Sequence, residues 1–242
     1  MRRIKSEQCW CVEFTDDAQK HEYEKARIER RPASELGNQL RTLVDSDPSE
    51  ETVQRFSEKN PRCLPWTGYY HHGLRGDVVI SKLPLQNDYV TDFAYMSANS
   101  QSIMIICVEI ERPGKKIFRK DGNFTAGYLA AKQQVLDWNF WAQHNIRSAF
   151  KCFGKLGQFL APDIYNVKMH CILVVGRRSE LSTRKRQERW STEDATLPKS
   201  IEIMTYDRLI DLLESGFYAP DNKKILVCSY RDRALKVKHI TA

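Results

Sequence analysis

The 242-residue sequence predicts an α/β fold in which a central mixed β-sheet is flanked by helices. Two observations support this fold class. The apolar runs 103–111 and 165–176 are short and rich in Ile and Val, which is typical of buried strands. Between them, residues 124–144 carry apolar side chains at three- and four-residue spacing, which predicts a helix. Strands that alternate with helices in this way build a sheet covered by helices.

The composition is that of a soluble protein with an excess of positive charge. Hydrophobic residues make up 41% and charged residues 29%, and the formal net charge is +7. No apolar run approaches membrane-spanning length, and the opening residues M-R-R-I-K-S-E-Q lack the apolar core of a signal peptide. Seven cysteines without regular spacing indicate a reducing compartment. We therefore expect a cytoplasmic protein with no membrane partner.

The sequence divides into an N-terminal accessory segment, residues 1–45, and a larger domain, residues 46–242. In the first segment, residues 16–31 and 33–44 predict two helices. The larger domain opens with a helix predicted over 46–60. Ser46 or Asp47 would cap this helix, and the pair Asn60-Pro61 would end it.

Three consecutive strands are predicted next, over residues 77–85, 87–96 and 103–111. The polar turn S-A-N-S-Q-S joins the second strand to the third. A hairpin centred on Ser100 and Gln101 pairs residues whose numbers sum to 201, so Asp92 would lie opposite Glu109.

The third strand ends in the acidic sequence V-E-I-E. Side chains alternate along a strand, so Glu109 and Glu111 share one face, and the hairpin register brings Asp92 beside them. Carboxylates held together at a buried strand end lose hydration and repel each other. A divalent cation would compensate for both effects. These three residues are the predicted metal ligands.

Helices and strands alternate in the rest of the chain. The helix over 124–144 would be capped by Asn123 or Thr125. A helix over 206–214 has Asp207 as its candidate cap. The remaining strands are predicted over residues 165–176, 200–204 and 224–230, the last of which would close the sheet.

Two basic runs stand out from the general positive charge. They contribute the side chains of Lys115, Lys116, Arg119, Lys120, Arg184, Lys185, Arg186 and Arg189. The first run follows the acidic strand directly. Each run alone is equally an ordinary solvated surface, but a polyanion would need such cations to approach an acidic metal site. The predicted partner is nucleic acid, with DNA preferred.

The ordered series T-D-F, V-E-I-E and A-x-x-Q-x-x-x-W resembles the PD-(D/E)XK nuclease superfamily. That superfamily has an Asp, an acid-x-Lys and a helical Gln in this order. Further on, C-I-L-V-V-G-R-R and I-E-I-M-T-Y-D-R-L-I resemble the C-terminal nuclease domain of the Shedu anti-phage defence proteins. The segment E-T-V-Q-R-F-S-E-K-N-P is similar to the helix that opens that domain. The resemblance covers residues 46–215 and implies a restriction-endonuclease-like core.

The resemblance implies a metal-dependent nuclease that cleaves DNA in anti-phage defence. Asp92 and Glu109 would bind Mg²⁺ or Mn²⁺, with the Ile110 carbonyl as a further ligand. Glu111 stands where the superfamily has Lys, and it would hold a second metal ion or orient the attacking water. Gln134 would hydrogen-bond the water, a metal ligand or the DNA backbone.

Other features stay open at the level of sequence. Lys115 or Lys116 would supply the positive charge that Glu111 cannot, unless a second metal ion does so. Glu51 would either join the metal site or only complement the helix dipole. The resemblance also implies a homo-oligomer. The alternative functions are a degenerate nuclease fold that binds nucleic acid or senses a phage component, and a purely structural role for the acidic strand end.

Overall fold

A seven-stranded mixed sheet forms the centre of the described chain. The computed structural model describes residues 2–5, 11–14, 32–65, 74–85, 88–98, 102–151, 153, 166–214, 225–231 and 234–241. The helix predicted over 16–31 lies outside these ranges. No helix within them is long and apolar enough to cross a membrane.

The strands are short, as their apolar runs predict. They are β1 Arg2–Lys5, β2 Cys11–Phe14, β3 Leu74–Ser81, β4 Pro84–Leu85, β5 Tyr89–Val90, β6 Phe93–Ala98, β7 Ile103–Ile110, β8 Val167–Val174, β9 Ile201–Met204, β10 Ile225–Arg231 and β11 Ala234–Thr241. The helices are α1 Pro32–Asp45, α2 Glu50–Lys59, α3 Ala126–Lys151, α4 Arg184–Thr196 and α5 Tyr206–Glu214. Single 3₁₀ turns cover Pro61–Cys63 and Arg178–Leu181.

The strand order in the central sheet is β11-β10-β3-β6-β7-β8-β9. Strands β3, β6 and β7 form an antiparallel meander, whereas β7, β8 and β9 run parallel to each other. The predicted mixed sheet flanked by helices is therefore confirmed. One detail is wrong: β10 does not close the sheet, because β11 pairs along its outer side. Strands β1 with β2, and β4 with β5, form separate two-stranded ribbons.

The period-2 alternation of the strands divides the buried side chains between two faces of the sheet. One face packs against α3, whose predicted stripe is fully buried: Tyr128, Ala131, Val135, Trp138 and Ala142. The other face packs against α1 and α5, where Leu40 and Val44 belong to the same buried cluster as Leu209. Helix α1 thus packs on the same core as the larger domain. The boundary between residues 45 and 46 stays a prediction.

The N-cap residues of three helices can be compared with the predicted ones. Helix α2 begins at Glu50 because Ser49, not Ser46 or Asp47, caps it with its side-chain oxygen. Thr125 caps α3, accepting a hydrogen bond from the Tyr128 N–H at 3.1 Å.

At α5 the expected cap is wrong as well. The Arg208 N–H donates to the Thr205 hydroxyl at 3.3 Å, while Asp207 is paired with Arg177. A carboxylate that an arginine already binds has less capacity to cap its own helix.

Candidate active site

Three charged side chains form a row across neighbouring strands at one end of the sheet. The β3–β6 register places Lys82 opposite Asp92, and the β6–β7 register places Asp92 opposite Glu109. The Lys82 N–H donates to the Asp92 carbonyl at 2.9 Å, which continues the first of these ladders by one residue. The pairing sum of 201 predicted from the turn is therefore confirmed along β6 and β7. Sequence reasoning missed Lys82.

Asp92 is the centre of this row, and it is only 3% exposed. One of its carboxylate oxygens accepts a hydrogen bond from the Ile110 N–H at 2.8 Å, and the other contacts the Lys82 ammonium. In extended backbone the N–H and C=O of one residue point toward the same neighbouring strand. The Ile110 carbonyl, predicted as a metal ligand, is thus directed toward the Asp92 side of β7.

Glu109 has a buried carboxyl oxygen, Oε2, that has no hydrogen-bond partner. Burial raises the pKa of this carboxyl to about 9, the charges of Asp92 and Glu111 add to the rise, and Lys82 opposes it. The Glu109 side chain lies next to that of Asp92, the residue opposite it on the neighbouring strand. Two adjacent buried carboxyls repel each other when both are ionised, so this pair favours retaining a proton when no cation is bound.

Glu111 continues the acidic strand end and is 7% exposed. Its carboxylate lies 2.5 Å from the Lys115 ammonium. Its backbone is fixed from both sides: the N–H donates to the Val174 carbonyl at 2.9 Å, and the carbonyl accepts from the buried Tyr206 hydroxyl at 2.6 Å. These bonds fix the backbone from which the Glu111 side chain extends. The charge of this side chain contributes to the raised pKa of Glu109.

Helix α2 adds a fourth carboxylate, and it is not the predicted one. Burial raises the pKa of Glu50, and the charges of Asp92 and Glu111 raise it further. Glu51 instead points to solvent and pairs with Arg55 one helical turn later. Glu50 lies one turn before the buried residues Val53 and Gln54, so it shares their side of the helix.

Two glutamines are relevant to the site: one was predicted to take part in it, and the other contacts it. Gln134 is half-buried on α3, and its side chain makes no hydrogen bond with any described residue. Its role therefore stays a prediction. Gln54 on α2 is buried, and its amide nitrogen donates to the Ser81 hydroxyl at 3.2 Å and to the Asp92 carbonyl at 3.3 Å. The amide oxygen of Gln54 has no hydrogen-bond partner.

The site suits a hard divalent cation in its chemistry. No group of three or more His, Cys, Asp or Glu side chains in the described ranges is arranged to hold a metal ion. Lysines neutralise two of the carboxylates instead, Lys82 at Asp92 and Lys115 at Glu111. The donors are nevertheless all oxygens, and the unpartnered Oε2 of Glu109 is the kind of buried atom that a cation would satisfy. The oxygen donors of Asp92, Glu109 and the Ile110 carbonyl are of the kind that Mg²⁺ and Mn²⁺ bind.

The two basic runs meet on one surface. Lys185 and Arg186 on α4 donate to the backbone carbonyls of Asp121 and Arg119 at 3.2 and 3.0 Å. Arg189 donates to the Gly122 carbonyl at 2.7 Å. Three of the four predicted nucleic-acid contacts in the second run thus hold the loop that carries the first run. Their positive charge remains, but part of their hydrogen-bonding capacity is used within the protein.

The other basic residues of this surface differ in their ion pairs and in their exposure to solvent. Lys116 lies 2.9 Å from the buried Glu180, and Arg119 lies 3.3 Å from Asp121. Lys120 is exposed and forms no ion pair with any described residue. The side chain of Arg184 is 91% exposed, and among the residues described it pairs only with Glu188 on its own helix.

A family model described as Shedu protein SduA, C-terminal, matches residues 47–210, which is more than half of the chain. The chain belongs to this family. The resemblance to Shedu proteins found in the sequence is confirmed, and membership associates the chain with anti-phage defence. No curated protein matches the chain.

The part of the chain that matches the Shedu family includes every feature of the candidate site. It begins just before Glu50 and ends within α5, so it spans the row from Lys82 to Glu109 as well as both basic runs. The tie between Tyr206 and Glu111 lies inside it too.

Proposed function

We propose that this Shedu domain is a metal-dependent nuclease that hydrolyses the phosphodiester bonds of DNA in anti-phage defence. The observation that carries the proposal is the buried cross-strand pair of Asp92 and Glu109, in which a carboxyl oxygen has no partner. A protein seldom keeps an unsatisfied carboxyl and two adjacent acids in its interior without a use for them. The adjoining basic surface supports a polyanionic substrate.

Each residue of the site has a chemical task in this proposal. Asp92, Glu109 and the Ile110 carbonyl would hold Mg²⁺ or Mn²⁺. When bound, such an ion lowers the pKa of a coordinated water and offsets the charge that builds on the phosphate. Glu111 would orient the attacking water or contribute to a second ion. Gln134 would hydrogen-bond the water or the DNA backbone.

Nucleic acid would be bound mainly through its phosphates. Lys115, Lys116, Arg119 and Lys120 on the loop, with Arg184, Lys185, Arg186 and Arg189 on α4, are the proposed contacts. Lys120 and Arg184 are the freest of these charges and should contribute most to salt-dependent affinity. We also propose that the domain is cytoplasmic and works as a homo-oligomer. Light scattering on the purified protein would test the oligomeric state.

Cleavage of supercoiled plasmid, linear duplex and single-stranded RNA tests the proposal. With Mg²⁺ or Mn²⁺ the protein should cleave DNA, and a chelator should stop it. Asp92→Asn should reduce the rate by about 100-fold or more, as expected when a group essential to the chemistry is lost. Glu51→Gln is the matched control, because Glu51 is an exposed acid on the neighbouring helix.

Two results would contradict this function. Chelator-resistant cleavage by Asp92→Asn would place the activity outside this site. Salt-dependent DNA binding with no cleavage under any of these metal conditions would instead favour a nucleic-acid-binding module built on a nuclease fold. The ion pair between Lys115 and Glu111 is the observation that favours that second function, since it occupies the carboxylate that would orient the water.

A further inference from the structure

We propose that Lys82 is the cation that faces the scissile phosphodiester, and that Asp92 holds its ammonium group in the metal-free protein. The inference rests on the proposed nuclease function and identifies a catalytic residue within it. It starts from the row across β3, β6 and β7, in which Lys82 is the only basic member among the described residues. Lys82 directly follows β3, and nothing in the sequence around it marks it as a functional residue.

The charge balance of the site requires such a cation. Four acidic side chains surround it, from Glu50, Asp92, Glu109 and Glu111, and a bound cation would ionise Glu109 as well. A phosphodiester brings a further negative charge, so it would be repelled unless positive groups stand at the place of approach. The lysines that act on this carboxylate cluster are Lys82 and Lys115.

The exposure of the two lysines distinguishes them. The Lys82 side chain is 53% exposed, although its ammonium contacts a carboxylate that is only 4% exposed. Its stem therefore lies at the mouth of the site with its charged end directed inward. Lys115 is more enclosed, at 28% exposure, and is bound to Glu111. Lys116 is paired with Glu180, which also accepts from the Phe118 N–H and so holds the loop.

The backbone at Lys82 is a second, independent observation. Its φ of 55° lies in the left-handed region, which residues with a side chain seldom adopt. Such a conformation costs about 1 kcal/mol or more, and Gly or Asn would adopt it at lower cost. The hydrogen bond from the Lys82 N–H to the Asp92 carbonyl, which Gln54 also contacts, keeps the residue in this conformation. In this conformation the lysine side chain contacts Asp92.

Two roles for Lys82 make opposite predictions about metal affinity. If Lys82 only holds Asp92 in position, removing its charge should weaken Mn²⁺ binding and cleavage together. If it is a phosphate-facing cation that merely rests on Asp92, it competes with a metal ion for that carboxylate. Removing the charge should then leave Mn²⁺ affinity equal or higher while cleavage is lost.

The experiment compares the full-length chain with Lys82→Gln, Lys82→Arg and Lys168→Gln. Lys168 is an exposed lysine near the opposite end of the sheet, at the start of β8, and serves as the matched control. Mn²⁺ affinity is measured by calorimetry without DNA, and cleavage is measured in single turnovers with Mg²⁺. Lys82→Gln should slow cleavage by about 100-fold or more with unweakened Mn²⁺ binding. Lys82→Arg, which keeps the charge, should retain more activity than Lys82→Gln.

Several outcomes would overturn the assignment. Cleavage by Lys82→Gln within about threefold of wild type would show that the phosphate does not need this cation, a change of less than 1 kcal/mol in the barrier. Parallel loss of Mn²⁺ affinity and cleavage would make Lys82 a support for Asp92 and nothing more. These results leave the nuclease function intact. Absence of cleavage by the wild type would overturn the proposed function and this assignment with it.

Discussion

The Glu109 carboxyl makes the stability of the metal-free protein depend on pH. Its pKa is about 9 in the folded chain, against an ordinary value of 4.5. Above pH 4.5 the unfolded chain releases this proton while the folded chain retains it. The free energy of unfolding should therefore fall as pH rises from about 4.5 to about 9, with a slope of at most about 1.4 kcal/mol per pH unit from this group.

Urea unfolding in the presence of a chelator, from pH 5 to pH 8.5, measures this dependence. Glu109→Gln mimics the protonated carboxyl, so it should flatten the slope and be more stable than wild type at pH 8. Glu51→Gln, on the exposed side of α2, should leave the slope unchanged. An unaltered slope in Glu109→Gln would show that the buried carboxyl is ionised in the folded protein after all.

Glu111 is the second residue for which the structure sharpens an expectation. Glu111→Ala should abolish cleavage, because the side chain would orient the water or hold a second ion, while DNA binding and folding stay nearly intact. The backbone bonds to Val174 and Tyr206 do not involve the side chain, so the strand end should keep its position. Cleavage assays, filter binding and thermal unfolding check the three parts. Wild-type cleavage rates would make Glu111 a bystander.

The residues of the site could be predicted only where local sequence determines them. The polar turn between β6 and β7 indicates their register, so the pairing of Asp92 with Glu109 follows from sequence. Lys82 could not be found in this way, because the two-stranded ribbon of β4 and β5 intervenes between β3 and β6, so no single turn indicates their register. Glu50 was missed in favour of its neighbour Glu51, although its spacing from the buried Val53 and Gln54 places it on the inner side of α2.

At the scale of elements, α4 acts as a clamp on the basic loop. Arg186 donates to the Glu180 and Arg119 carbonyls at 3.2 and 3.0 Å and lies over the Phe118 ring. Arg186→Ala should therefore release the loop and reduce stability by about 1–3 kcal/mol, since hydrogen bonds from a charged donor are among the stronger ones. Hydrogen exchange of the 117–125 amides should rise in this variant. Arg184→Ala, which makes no such contact, is the control.

The same clamp changes how DNA binding should be tested. Substituting all four arginines and lysines of α4 together would disturb the loop as well as remove charge. Replacing Lys120 and Arg184 instead should leave stability unchanged. The slope of log affinity against log salt concentration should become shallower by about one unit for each phosphate contact removed. Filter binding at several salt concentrations decides this. These side-chain bonds to backbone carbonyls have no signature in the sequence, where the run appears only as charge.

At the scale of the whole molecule, α3 holds one face of the sheet. Trp138 on this helix is fully buried, so Trp138→Ala should cost about 3–5 kcal/mol in the free energy of unfolding. Phe140 lies two residues further along and is 66% exposed, so Phe140→Ala should change stability by no more than about 0.5 kcal/mol. Denaturant unfolding compares the two. Equal losses would mean that α3 packs through its other side.

The helical stripe of α3 was predictable because its period is a property of the sequence alone. The length of α3 was not, since the helix continues through a kink at Asn145 to Lys151. The strand order was not predictable either. It depends on parallel contacts between segments far apart in the chain, such as β10 with β3, for which no local signal exists.

The meander of β3, β6 and β7 has a consequence for the order of folding. Lys82, Asp92 and Glu109 all lie within 38 residues of chain, from Leu74 to Glu111, whereas Tyr206 reaches Glu111 from 95 positions away. Contacts close in sequence form sooner than distant ones, because less chain entropy is lost in closing them. We expect the acidic row to assemble early, with Lys82 as the counter-charge that contacts Asp92. Before burial raises the pKa of Glu109, a chain that lacks this lysine would bring two ionised carboxylates together without a counter-charge, and it should fold more slowly at low ionic strength than at high.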